Sequence, residues 1–190
     1  MIIGLVGKIG SGKSTITNLL AKKYDFTKYA FADPIKRIGE VFGFDKKTIY
    51  GSQEEKLLVD PVWNISTRVF LQRFGSDLCR NQFPKVFPEM KLNESVWIRL
   101  ADRKLQENSN KNFVFSDVRF PDEADFVKRK GGVLIKVTRT VNDVSPLFST
   151  SNHVSETSVQ KINTNFQIEN NSTINHLEKS IEKIILFLSK

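Results

Sequence analysis

The sequence predicts an α/β fold, a parallel sheet with helices on both faces, and three observations predict it. Short apolar runs alternate with segments of helical spacing along most of the 190 residues. The first run, Ile2 to Val6, ends in a glycine-rich turn that opens a helix. A later run, Phe113 to Ser116, is apolar and ends at Asp117, the pattern of a strand buried on both faces. The length suits one domain with one core.

Each element follows in order. Ile16, Leu19, Leu20 and Tyr24 recur at helical spacing, so a helix runs from Lys13 to Lys23. Lys28 to Ala32 reads as a second strand. Asp33-Pro34 then reads as an N-cap with proline at the first helical position, and that helix reaches about Gly43. Residues 45–65 are polar and mixed, a short helix and a loop. Thr67 to Phe83 reads as a helix with Phe70, Phe74, Leu78 and Cys79 inward, and Trp97 to Glu107 as another. Pro121 to Lys130 is helical and stops at Gly131-Gly132; Val133 to Thr138 is a strand. Residues 140–158 are rich in Ser, Thr and Asn and form a long loop of the kind that serves as a lid. Phe166 to Ile168 makes a last short strand. In the tail, Ile174, Leu177, Ile181, Ile184, Ile185 and Leu188 share one face, which suits a packed terminal helix better than a membrane-surface one. No internal repeat or linker interrupts the chain.

The net charge of +8 attracts polyanions, but the basic residues are scattered and form no long run. Cys79 is the only cysteine, so no disulfide forms within the chain and no cysteine metal site can be built. This fits a reducing compartment. MIIGLV is too short for a signal peptide, and no stretch reaches the length of a membrane span. The expectation is a soluble cytoplasmic protein, in the host cytoplasm if the chain is viral.

Residues 7–14 read GKIGSGKS, the pattern G-x-x-x-x-G-K-S, between a predicted strand and a predicted helix. Glycines let consecutive N–H groups turn towards phosphate oxygens, and the helix adds its positive N-terminal end. Gly10, Ser11, Gly12, Lys13, Ser14 and Thr15 therefore form a nucleotide site. In it Lys13 reaches the β- and γ-phosphates and the Ser14 hydroxyl ligates Mg²⁺. The plain alternative is a structural glycine turn. Asp117 ends a buried strand, where it could hold Mg²⁺ through water, contact substrate, or merely cap the next helix. Arg119 follows two residues later.

Arg73, Asp77 and Arg80 are spaced i, i+4, i+7 and share one helix face; alone they read as a solvated face with one ion pair. Near a phosphate site they become candidates for binding an acceptor phosphate, as do Lys36 and Arg37 one turn into their helix. His153 and Glu156 are too few to define a metal site. Trp63 and Trp97 are core residues by type, with base stacking the alternative for Trp97.

These residues add up to a pattern. The segments 31–36, 71–77 through Arg80 to Trp97, 116–123 (Ser-Asp-Val-Arg-Phe-Pro-Asp-Glu), the strand from Gly131-Gly132 to Arg139, and 153–156 occur in this order in the deoxynucleoside monophosphate kinases of phages and large DNA viruses. The chain resembles that family from residue 1 to about 157. The resemblance implies a nucleoside monophosphate kinase-like P-loop fold: a five-stranded parallel sheet, a mobile substrate-binding insertion at about 33–107 and a lid at about 140–158. It implies the reaction ATP + dNMP → ADP + dNDP, in DNA-precursor synthesis. Lys36, Arg73, Arg80, Trp97, Asp117 and Arg119 would face the deoxynucleotide, with Asp33, Gly75 and Asp77 of the same motifs beside them. Lys13, Asp117 and Arg119 would serve transfer, and Arg139 would lie near ATP. Residues 81–95, NQFPKVFPEMKLNES, read as an insertion beside the base pocket.

The nearest rival is another small-molecule P-loop kinase, such as a dephospho-coenzyme A kinase. A nucleic-acid-dependent ATPase is the rival from another class. GTPase switch and guanine motifs are absent from the sequence. The partners expected are a free deoxynucleotide and a second copy in a homodimer, with no specific nucleic acid and no membrane.

Overall fold

The computed structural model describes residues 1–140 and 158–189. Two compact units divide the chain: one comprises residues 1–30 with 108–190, the other residues 31–107. Most of the lid candidate, with His153 and Glu156, lies outside the described residues.

The first unit is built on five parallel strands in the order β2-β3-β1-β4-β5. They are β1 (Ile2–Val6), β2 (Phe26–Tyr29), β3 (Asn112–Val118), β4 (Val133–Thr138) and β5 (Phe166–Glu169). The strand read at Lys28–Ala32 forms earlier. Phe26 to Tyr29 pair with Asn112 to Phe115, and Phe31 and Ala32 fall beyond that register.

Strand residues alternate between two covered faces. Ile3, Leu5, Val114, Ile135, Val137 and Ile168 meet Ile16 and Leu20 of helix α1 (Lys13–Tyr24). The same cluster takes in Leu177, Ile181, Ile184 and Ile185 of the terminal helix, Ile174–Leu188. Ile174, at the first turn of that helix, is exposed and not on its inner face. On the other face Phe115 packs edge-on against Phe126, with ring centres 6.0 Å apart; Phe126 belongs to the helix Pro121–Arg129. Each such side chain taken from water stabilises by about 2 kcal/mol.

The second unit is helical: α2 (Asp33–Val41), α3 (Lys46–Tyr50), α4 (Thr67–Gln72), α5 (Phe83–Val86) and α6 (Val96–Gln106). Short 3₁₀ turns occupy Glu55–Leu57 and Pro88–Met90. It covers the span read as a substrate-binding insertion. Its centre is aromatic: Phe70 lies 4.7 Å from Phe44 and 5.2 Å from Phe74, ring centre to ring centre.

Between α4 and α5 the chain winds as a π-helix, Arg73–Gln82, where an uninterrupted α-helix was the expectation. Its last bond shows the wider turn, with Phe83 N–H donating to Leu78 C=O five residues back. The extra residue per turn moves the inner face. Gly75, Ser76 and Cys79 are buried, while Leu78, expected inward, is 45% exposed.

Burial pushes the Cys79 thiol up to about 11. An unfolded thiol ionises near about 8.5. Between those values the unfolded chain has released a proton that the folded chain keeps, so stability falls as pH rises through this window. Iodoacetamide at pH 8 is expected to label native Cys79 at least about tenfold more slowly than the urea-unfolded chain. Equal rates would contradict its burial.

Helices α7 and α8 below are Pro121–Arg129 and Ile174–Leu188.

Candidate active site

The loop from Gly7 to Gly12 joins β1 to α1. Gly10 (φ 78°) and Gly12 (φ 104°) take left-handed conformations that side chains with a Cβ rarely adopt. Ser11 N–H donates to Lys8 C=O (3.3 Å), closing the turn, and Ile16 N–H donates to Gly12 C=O (3.1 Å), starting the helix. Gly12 is the N-cap and, having no side chain, gives no capping bond to the first turn of α1, the end of a helix that attracts anions. Lys13 arches back over the loop, its Nζ donating to Gly7 C=O (2.6 Å) and Lys8 C=O (2.7 Å). Its ammonium is thus held against the carbonyls that open the loop. Ser14 is exposed on the first turn, and Thr15 is half-buried beside it.

Asp117 sits on the strand next to β1. Gly4 pairs with Phe115 and Val6 with Val118, so Leu5 alone stands opposite both Ser116 and Asp117. That bulge re-aims the end of β3, as bulges next to active sites do. β1 leads into α1 on one face of the sheet and β3 into α7 on the other. Adjacent strands whose helices leave on opposite faces open a crevice at their carboxyl ends, the usual ligand position in such sheets.

Arg119 follows at the same edge. A buried carboxylate fixes its backbone: Glu123 Oε2 accepts from the N–H of Arg119 (2.8 Å) and of Phe120 (3.2 Å). Arg139 is exposed just past β4, on the other side of β1. The loop, Asp117, Arg119 and Arg139 therefore lie at one edge of three neighbouring strands.

In the helical unit, Lys36 Nζ donates to Asp33 Oδ1 (3.2 Å) and stands 5.8 Å from the Tyr50 ring centre. A half-buried pair three residues apart on one helix adds little stability. Gly75 and Trp97 meet directly, the buried indole N–H donating to Gly75 C=O (2.8 Å). Arg73 and Asp77 are exposed on the π-helix and, among the described residues, form no ion pair with each other; Arg80 is half-buried. The shared face expected for Arg73, Asp77 and Arg80 assumed α-helical winding. The wider turn carries Arg80 off the side of Arg73.

Two residues of this edge escape a site search by residue type. Glu123 has a signal, since an acid three residues into a helix after Phe120 is a capping pattern. Asn170 has none: its Nδ2 donates to Ser11 C=O (3.0 Å), 159 residues away.

The sequence matches the family model described as deoxynucleotide monophosphate kinase over residues 40–181, most of the chain. The chain belongs to the deoxynucleotide monophosphate kinase family. A relative in Acanthamoeba polyphaga mimivirus, provisionally named a deoxynucleotide monophosphate kinase, is 36% identical over 186 residues, covering 95% of this chain and 94% of its own. Shikimate kinase from Aquifex aeolicus vf5, a solved structure 15% identical, matches 100% of this chain and 98% of its own at a TM-score of 0.49. Dephospho-CoA kinase from Campylobacter jejuni, also 15% identical, matches 97% and 95% at 0.44. The acceptor is read from the family and not from these two structures. This kinase is thus a phosphotransferase that acts on a deoxynucleoside monophosphate. Among the described residues, no helix is long and apolar enough to cross a membrane.

Proposed function

We propose that this kinase uses ATP as donor, binding it on the Gly10–Thr15 loop with Arg139 alongside, and that Lys13, Asp117 and Arg119 carry the transfer. The observation that carries this reading is the glycine-capped start of α1, with the Lys13 ammonium folded back on its own loop, next to the bulged end of β3. The acceptor is already a phosphate oxyanion, so no strong base is needed. What the chain must supply is in-line placement and positive charge. Lys13 and the helix N–H groups draw charge from the donor phosphates, and Arg119, its backbone held by Glu123, meets the acceptor side. The Ser14 hydroxyl and the Asp117 carboxylate are oxygen ligands of the kind Mg²⁺ takes, and would hold it directly or through water. Bound there, the ion would neutralise phosphate charge.

Lys36, Arg73 and Arg80 serve the monophosphate, with Asp33 ordering Lys36 and Asp77 alongside. Gly75 and Trp97 act from behind, through their buried bond. Arg73→Ala is expected to raise KM for every accepted monophosphate by a similar factor, about tenfold. A change in the ranking of the bases would instead place Arg73 at the base.

The test of this reading is ADP release with Mg²⁺ and each dNMP in turn. Release should require both and should stop with EDTA. Turnover supported by DNA and by no free monophosphate would favour a nucleic-acid-dependent ATPase.

A further inference from the structure

The end of β5 touches the phosphate loop at a point no motif marks. Asn170 Nδ2 donates to Ser11 C=O at 3.0 Å, and Asn170 N–H donates to Thr138 C=O at 2.7 Å. The next residue makes a second tie. Asn171 Oδ1 accepts from Thr140 N–H (2.7 Å), and its Nδ2 donates to Thr140 Oγ1 (3.1 Å). Residues on both sides of Arg139 are thereby bonded to the Asn170-Asn171 pair. The Asn170 amide also lies tight against Gly12, where an added Cβ would fall 2.2 Å from Nδ2.

We propose that Asn170 is a positioning residue for the ATP site, aiming the phosphate loop through the Ser11 carbonyl. The reasoning is geometric. Ser11 C=O and Gly12 N–H belong to one planar peptide and point in opposite directions. Holding the oxygen on Asn170 therefore directs the Gly12 N–H away from Asn170. A free glycine hinge at φ 104° would let that plane rotate. Asn170 stops the rotation from outside the loop and ties it to the strand end that bears Arg139. This inference rests on the reading of residues 10–15 as the donor site.

Asn170→Asp keeps the size of the side chain but turns an acceptor towards the Ser11 oxygen, while Asn170→Ala removes the donor together with the bulk of the amide and adds no charge. Three quantities decide the matter: KM for ATP, KM for the dNMP, and the affinity for ATP·Mg²⁺ by calorimetry. Melting curves run alongside. Asn170→Asp should raise KM for ATP by about tenfold or more, with KM for the dNMP within about twofold, and Asn170→Ala should shift it less. The calorimetric Kd should follow the same order. If Asn170→Asp behaves as wild type, or is milder than Asn170→Ala, only the shape of the side chain matters and the proposal is overturned. A loss of melting temperature with no change in either constant overturns it equally. Should the wild-type enzyme bind ATP but phosphorylate no dNMP, the acceptor reading fails, while calorimetry still scores Asn170.

Discussion

Lys13→Ala is expected to lower kcat by about a thousandfold while shifting the melting temperature by no more than a few degrees. The side chain's bonds to the Gly7 and Lys8 carbonyls lie within its own loop, and only the first is even partly buried. Its loss costs the fold little. What disappears is a cation held on the loop before α1, where in the proposed reading charge builds on the transferring phosphoryl group. Removing one such preorganised group costs a hundredfold to a thousandfold in typical cases. The measurement is single-turnover transfer at saturating ATP beside a melting curve. Wild-type turnover would refute the donor-site assignment. Lost turnover with a collapsed melting curve would make Lys13 a structural residue.

The second large effect falls on β3. Asp117→Asn is nearly isosteric, so the bulge that carries it should survive, and kcat should fall about a hundredfold if the carboxylate orders the ion or the substrate. Arg119→Ala should act differently, raising KM for the monophosphate or lowering kcat/KM, because its backbone remains held by Glu123. Normal kinetics in both variants with reduced thermal stability would make Asp117 and Arg119 structural residues and overturn their place in the site.

Much of the sheet and its glycine loop was legible because their signals are local. The loop announces itself by glycine spacing, β4 and the terminal helix by apolar runs that end where the structure ends them, at Thr138 and Leu188. The π-helix was not legible. Residues 67–83 carry a helical pattern that α and π winding share, and only packing decides which residue turns inward. That is why Leu78 points out while Gly75 accepts the indole N–H of Trp97. The strand after α1 was displaced for a similar reason: Phe31 is buried, as a strand residue would be, but outside the sheet. Asn170 lay beyond reach because its partner, Ser11, comes from the far end of the chain, and asparagines after a strand predict a turn.

The central claim is transfer from ATP to a free deoxynucleoside monophosphate, and following the γ-phosphate tests it most directly. With γ-labelled ATP, Mg²⁺ and each dNMP separately, the products are resolved by chromatography. The account predicts label in the deoxynucleoside diphosphate of at least one base, with ADP formed in equal amount and little label in inorganic phosphate. Label appearing only in inorganic phosphate, whichever dNMP is supplied, would contradict it.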